Sequence, residues 1–154
     1  MIRNVLWRDR RGVSALEFAL TVPVLIALTG FLADVGLLEQ TRDSLTAAVN
    51  AGAQYAALAG TSVTAAAIQT AGQAATTLSP VTISVTGPAY YCTGTGAGGA
   101  VTLSTSASGA TCGSGATAGM YVEITANYSY RPLMPVGGLL GNTVLDERAV
   151  VRLQ

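Results

Sequence analysis

Histidine and lysine are both missing from the 154 residues. Without histidine the chain has no imidazole for proton transfer or metal ligation. Without lysine it has no Schiff-base amine and no phosphate-loop ammonium. Charged side chains make up 10% of the sequence, against roughly 25% in ordinary soluble domains. Eight arginines balance eight acids and aromatics are 6%, so no cationic surface exists to displace phosphate counterions and nucleic-acid binding is excluded. Half of the residues are hydrophobic at zero net charge, the opposite of a disordered composition. The two cysteines, Cys92 and Cys112, cannot complete a tetrahedral metal shell. Serines and threonines abound, yet none has a visible base. Asp146 and Glu147 are adjacent and on a strand would face opposite ways. Gly94–Gly99 spells G-x-G-x-x-G, but no strand–helix unit or acidic ribose partner accompanies it. No enzyme activity, cofactor or small-molecule substrate is expected.

What charge there is lies unevenly. Residues 1–12 hold four arginines against Asp9, a net +3, and the rest of the chain carries −3. The run Val13–Ala33 follows directly, 21 residues with Glu17 as its one charge. As a helix it would span about 31 Å, the thickness of a bilayer core. Arginines on its amino side place that end in the cytoplasm and the remainder outside. A buried core helix would be shorter. A secretory signal peptide would have a shorter apolar stretch than this one, and Pro23 interrupts its middle. The remaining reading is a basic leader cut ahead of the hydrophobic segment, which then stays on the mature chain.

Arg10-Arg11-Gly12-Val13 supplies such a junction, because a glycine peptide is easily presented to a protease. Cutting after Gly12 makes Glu17 the fifth residue of the mature chain. A carboxylate in an apolar span needs a partner, and the new α-amine of Val13 lies at the helical i, i−4 position. At about 4 Å the attraction is ~1 kcal/mol in water and up to ~4 kcal/mol at an effective dielectric of 20. Glu17 also falls in the expected first turn, where it offsets the helix dipole.

The run RRGVSALEFALTVPVLIALTGFLADVG resembles the amino-terminal segment of TadE-like pseudopilins, minor components of the Tad (tight adherence) type IV pilus system. The likeness rests on Arg10-Arg11-Gly12, Glu17-Phe18-Ala19-Leu20, Pro23 and Asp34-Val35-Gly36, with a fainter echo in Tyr128–Pro132 and Leu145–Arg152. It implies cleavage by a prepilin peptidase between Gly12 and Val13. Arg10 and Arg11 would be the basic flank, and Glu17 would guide processing or docking. Leu16, Glu17, Phe18, Leu20 and Pro23 would pack against other pilin or pseudopilin subunits. Where type IV pilins generally have Phe after the scissile glycine, Val13 stands here.

Beyond the span, Leu38, Leu45, Ala48, Val49, Gly52, Tyr55, Ala56 and Ala59 recur on one helical stripe. Nothing forces a break before Gly60, so one helix of about 70 Å is expected from Val13 to Ala59. Pro23 should kink it. A second helix is expected from a Ser62 cap to Leu78. Strands are expected at Val81–Thr86, Val101–Thr105, Tyr121–Tyr130 and Val144–Leu153. The fold expected is α+β: a long amino-terminal transmembrane and amphipathic helix, a second helix, and a small pilin-like antiparallel sheet. The organisation reads as leader 1–12, span 13–33, helical continuation 34–59 and exported domain 60–154. Within it lies a Gly/Ser/Thr-rich loop, 87–119. In an oxidising compartment Cys92 and Cys112 should close that loop, for about 3 kcal/mol.

The functional expectation is a processed minor pilin or pseudopilin in the inner membrane, with its carboxyl-terminal domain periplasmic. Its partners would be the prepilin peptidase, other subunits and the Tad machinery. A permanently anchored envelope binding module with a recognition loop is one alternative. A soluble protein released by ordinary signal peptidase is the other.

Overall fold

The computed structural model describes residues 11–133 and 142–154. Its elements run α1 (Arg11–Ala59), α2 (Ala65–Ala74), β1 (Thr82–Thr95), β2 (Val101–Thr105), β3 (Gly119–Tyr130) and β4 (Thr143–Arg152). The fold is α+β, as expected. It divides into two compact units, Met1–Leu38 with Arg131–Asn142, and Glu39–Tyr130 with Thr143–Gln154. Helix α1 contributes to both.

Helix α1 is unbroken over 49 residues and passes through Pro23. It stops at Gly60, whose φ of 62° is a left-handed conformation that L side chains rarely adopt. A single 3₁₀ turn, Gly60–Ser62, follows. The second helix is shorter than the sequence suggests. Thr64 rather than Ser62 is its cap, accepting from the Ala67 N–H at 3.3 Å. The Ser62 hydroxyl instead donates to the Ala59 carbonyl at 3.0 Å. The helix ends at Ala74, short of Leu78, and the Thr76 hydroxyl accepts from the Leu78 N–H at 3.2 Å. That local bond competes with another helical turn.

In the second unit, Leu45, Ala48, Val49 and Ala56 of α1 are buried, as the stripe requires; Ala59 is half-buried and Tyr55 is 43% exposed. Helices α1 and α2 meet where side chains are smallest. A Cβ on Gly52 would lie 3.1 Å from Ile68 Cγ2 and 3.4 Å from Ile124 Cδ1. One on Gly72 would lie 2.9 Å from Ile83 Cδ1 and 3.1 Å from the Ala48 carbonyl oxygen. Helix α1 thus touches α2 on one side and the sheet on another.

The sheet is antiparallel in the order β2-β1-β3-β4. Val122, Ile124 and Ala126 of β3 are buried, with Leu145 of β4 and Leu153 just beyond it. Strand β1 runs further than its alternating segment. Its pairing shifts between Thr86 and Ala89, where Gly87-Pro88 forms a bulge. A Cβ on Gly87 would meet the Tyr121 carbonyl oxygen at 2.7 Å, so the strand passes there only as glycine. It resumes to Thr95 and pairs with β2. The stretch 87–119, expected as a loop around the strand Val101–Thr105, holds that strand as β2 and also most of β1, residues 87–95. Arg148 Nη1 on edge strand β4 donates to the Val101 carbonyl of the opposite edge, β2, at 2.9 Å. One edge reaches the other only because the sheet curls.

Candidate functional site

The sequence places its candidate site on α1. Arg10 lies outside the described residues, as do the first nine residues of the expected leader; Arg11, Gly12 and Val13 form the start of the helix. Glu17 follows Val13 by four residues on α1, about one helical turn. Its side chain is exposed and makes no hydrogen bond or ion pair with another described residue. Leu16, Phe18 and Leu20 are 63%, 70% and 68% exposed, and Pro23 is exposed within the continuous helix.

Two halves of one helix differ sharply in burial. No residue from Ser14 to Ala33 is buried, and eight large apolar side chains stand exposed between Leu16 and Leu32. Burying each is worth about 1.5–3 kcal/mol, some 12–24 kcal/mol together. That rivals the about 5–15 kcal/mol stability of a whole domain, and an exposed apolar surface of this size marks an interaction site. The helix is long and apolar enough, by length and composition, to cross a membrane, reaching a mean hydropathy of 2.0 over 18 residues. The threonines between Ser14 and Ala33 are satisfied internally: Thr21 donates to the Phe18 carbonyl at 3.1 Å and Thr29 to that of Leu25 at 2.9 Å. Internal pairing of this kind is what a hydrocarbon surrounding requires.

The change of character comes at Asp34, which sequence reasoning treated only as part of a motif. Asp34 is 1% exposed, and its Oδ1 accepts from the Leu133 N–H at 2.8 Å, across 99 residues. No periodicity in the sequence could have signalled this pairing. From here outward the buried stripe begins, with Thr41 and Leu45.

The two cysteines are joined, Cys92 Sγ to Cys112 Sγ, with 5.5 Å between their Cα atoms. The bridge ties β1 to the segment after β2. That segment folds back through the Cys112 N–H to the Ala116 carbonyl at 2.7 Å and the Ala118 N–H to the Ala110 carbonyl at 2.8 Å. Gly94–Gly99 lies in the β1–β2 hairpin, where only one 3₁₀ turn follows, so no helix N-terminus is there to receive a phosphate. On the curled face, Arg148 Nε donates to Glu123 Oε1 at 2.6 Å. That bond raises the guanidinium pKa above its ordinary value, with burial opposing. An open hollow of about 400 Å³ beside this pair is lined by Thr93, Val101, Tyr121, Val150 and Arg152 among others.

Residues 12–54 match the family model described as TadE-like protein. The match begins at the glycine of the expected cleavage junction and covers nearly all of α1. The second helix and the sheet lie outside it. No curated protein and no solved structure matches the chain significantly.

Proposed function

We propose that this chain, TadE-like along α1, is a minor pilin or pseudopilin subunit of a Tad-type pilus. A prepilin peptidase cuts it between Gly12 and Val13. The observation that carries the reading is a family match starting at Gly12 on a helix with no buried residue from Ser14 to Ala33. Structural rather than catalytic work suits a chain without histidine or lysine.

In this reading Val13–Ala33 crosses the inner membrane with the arginine-rich end in the cytoplasm, and the disulfide-bridged domain stands in the periplasm. The first turn of α1 has to open for the cut, which is the part of any helix that frays most readily. Once Val13 carries a free amine, Glu17 gains a cation four residues away, on its own helix or on a neighbour's. The exposed Leu16, Phe18 and Leu20 then pack first against lipid and later against other subunits. Both states cover the surface that water cannot.

Replacing Gly12 with leucine tests the junction. The variant should accumulate as the full-length chain, twelve residues longer than the processed wild type on a gel and by mass. Processing at the wild-type rate would overturn this assignment.

A further inference from the structure

The sheet has a second face. Val122, Ile124 and Ala126 of β3 are buried, with Ile124 reaching α1 at Gly52. Alternation sends Tyr121 and Glu123 to the opposite side. Directly paired residues share a face, so Arg152 and Val150 join them from β4. On β1, Ala89 pairs with Tyr121, and Thr93 and Thr95 follow at even spacing, with Val101 of β2 opposite Thr95. The curl brings these residues around one open hollow of about 400 Å³. Arg148 holds the curl, bonded both to Glu123 at 2.6 Å and to the Val101 carbonyl at 2.9 Å. Gly119 makes room for the floor. A Cβ there would lie 2.8 Å from Tyr121 Cε2 and 3.2 Å from Arg152 Nε, so ring and guanidinium flank one point.

The polar groups around the hollow are unused. The side chains of Thr93, Thr95, Tyr121 and Arg152 make no hydrogen bond or ion pair with another described residue. Arg152 is the one charged residue in the lining, and the nearby acid, Glu123, is taken by Arg148.

We propose that this hollow binds an acidic saccharide. Arg152 takes the carboxylate of a uronic acid, the threonine and tyrosine hydroxyls meet the sugar hydroxyls, and the Tyr121 ring lies against the sugar's C–H surface. A single guanidinium matches a monoanionic carboxylate in charge and in its planar two-oxygen shape. A phosphate dianion would keep a charge unmatched. Threonine and tyrosine hydroxyls both donate and accept, as a polyol does. A peptide carboxyl terminus brings one amide beside its carboxylate, too few partners for three hydroxyls. The volume falls among small-ligand sites, about 300–1,000 Å³. All the lining residues belong to the second unit, so the inference stands apart from the membrane and pilus reading.

NMR titration of the isotope-labelled full chain in detergent tests it. Methyl β-D-glucuronide should shift the Gly94, Val101 and Val150 amide signals with a Kd of about 1 mM or tighter. Methyl β-D-glucoside lacks the carboxylate and N-acetylalanine lacks the polyol; each should bind at least about tenfold more weakly, as the loss of a charged hydrogen bond or of several neutral ones requires. Arg152→Gln should weaken the glucuronide by a similar factor. Val150→Glu keeps Arg152 but adds a like charge to the wall, and should abolish the shifts at Gly94 and Val101. Wild-type affinity in either variant would overturn the site. N-acetylalanine or inorganic phosphate binding as tightly as the glucuronide would overturn the saccharide, and equal binding of the glucoside would overturn the role of the carboxylate. No shifts up to about 10 mM glucuronide, a concentration that reveals even weak sites, would overturn the whole proposal.

Discussion

Gly52 and Gly72 have no side chain at the places where α1 and α2 approach each other, and the distances leave little room for one. Alanine at Gly52 would recover about 1 kcal/mol of helix propensity against a contact of 3.1 Å to the Ile68 Cγ2 methyl, which would have to give by a few tenths of an ångström. Gly52→Ala should therefore be close to neutral. Leucine is a different case, because it must displace both Ile68 and Ile124, and overpacking of this kind costs about 1–3 kcal/mol. Urea denaturation of the full chain in detergent, followed by the sheet's circular dichroism, should show Gly52→Leu destabilised by that amount. Equal stability would mean the helices are not in contact there. Other residues act through the chain's covalent and ionic ties. The Cys92–Cys112 bridge closes a separation of 20 residues, worth about 3 kcal/mol. The Arg148–Glu123 pair, roughly a third exposed, is worth well under that because solvent screens it.

Among the elements, α1 carries the account. Its length was legible in the sequence because nothing between Val13 and Ala59 breaks a helix except Pro23, and a proline inside an apolar span is tolerated. Its outer half was legible through the spacing of Leu45, Ala48, Val49, Gly52 and Ala56, all of which are buried. The second helix was read less well. The run Gly60-Thr61-Ser62-Val63-Thr64 offers three hydroxyls as caps; burial of Val63 and the 3₁₀ turn before it decide for Thr64. In β1, Gly87-Pro88 reads as a terminator, yet a bulge absorbs it and pairing with β2 carries the strand on. Asp34 was hidden because its partner lies 99 residues away, and local patterns do not report distant contacts. A prediction belongs to this scale. Leu25 is exposed in the middle of the apolar half, so Leu25→Arg adds about 2.5–3.5 kcal/mol to insertion at the bilayer centre. The variant should move from the carbonate-resistant membrane pellet to the soluble fraction, whereas Leu58→Arg, beyond the span, should not. Retention of Leu25→Arg in the pellet would count against Val13–Ala33 as the anchor.

At the scale of the whole molecule, two kinds of surface share one chain. The family match runs through both halves of α1, residues 12–54, but only the apolar half lacks a buried residue; the sheet has an internal core and a curled face that carries the Arg148–Glu123 pair. The division suits the proposed subunit, held by its helix. The proposed role requires that the basic leader be removed while the apolar rod is kept, which would give Glu17 its partner. Isolating the protein from native envelopes and reading its amino terminus, by Edman degradation or by the mass of its first peptide, addresses this directly. The account predicts a chain beginning Val13-Ser14-Ala15-Leu16-Glu17, recovered with membranes or pili. A chain still beginning at Met1, or one beginning beyond Ala33, would contradict it.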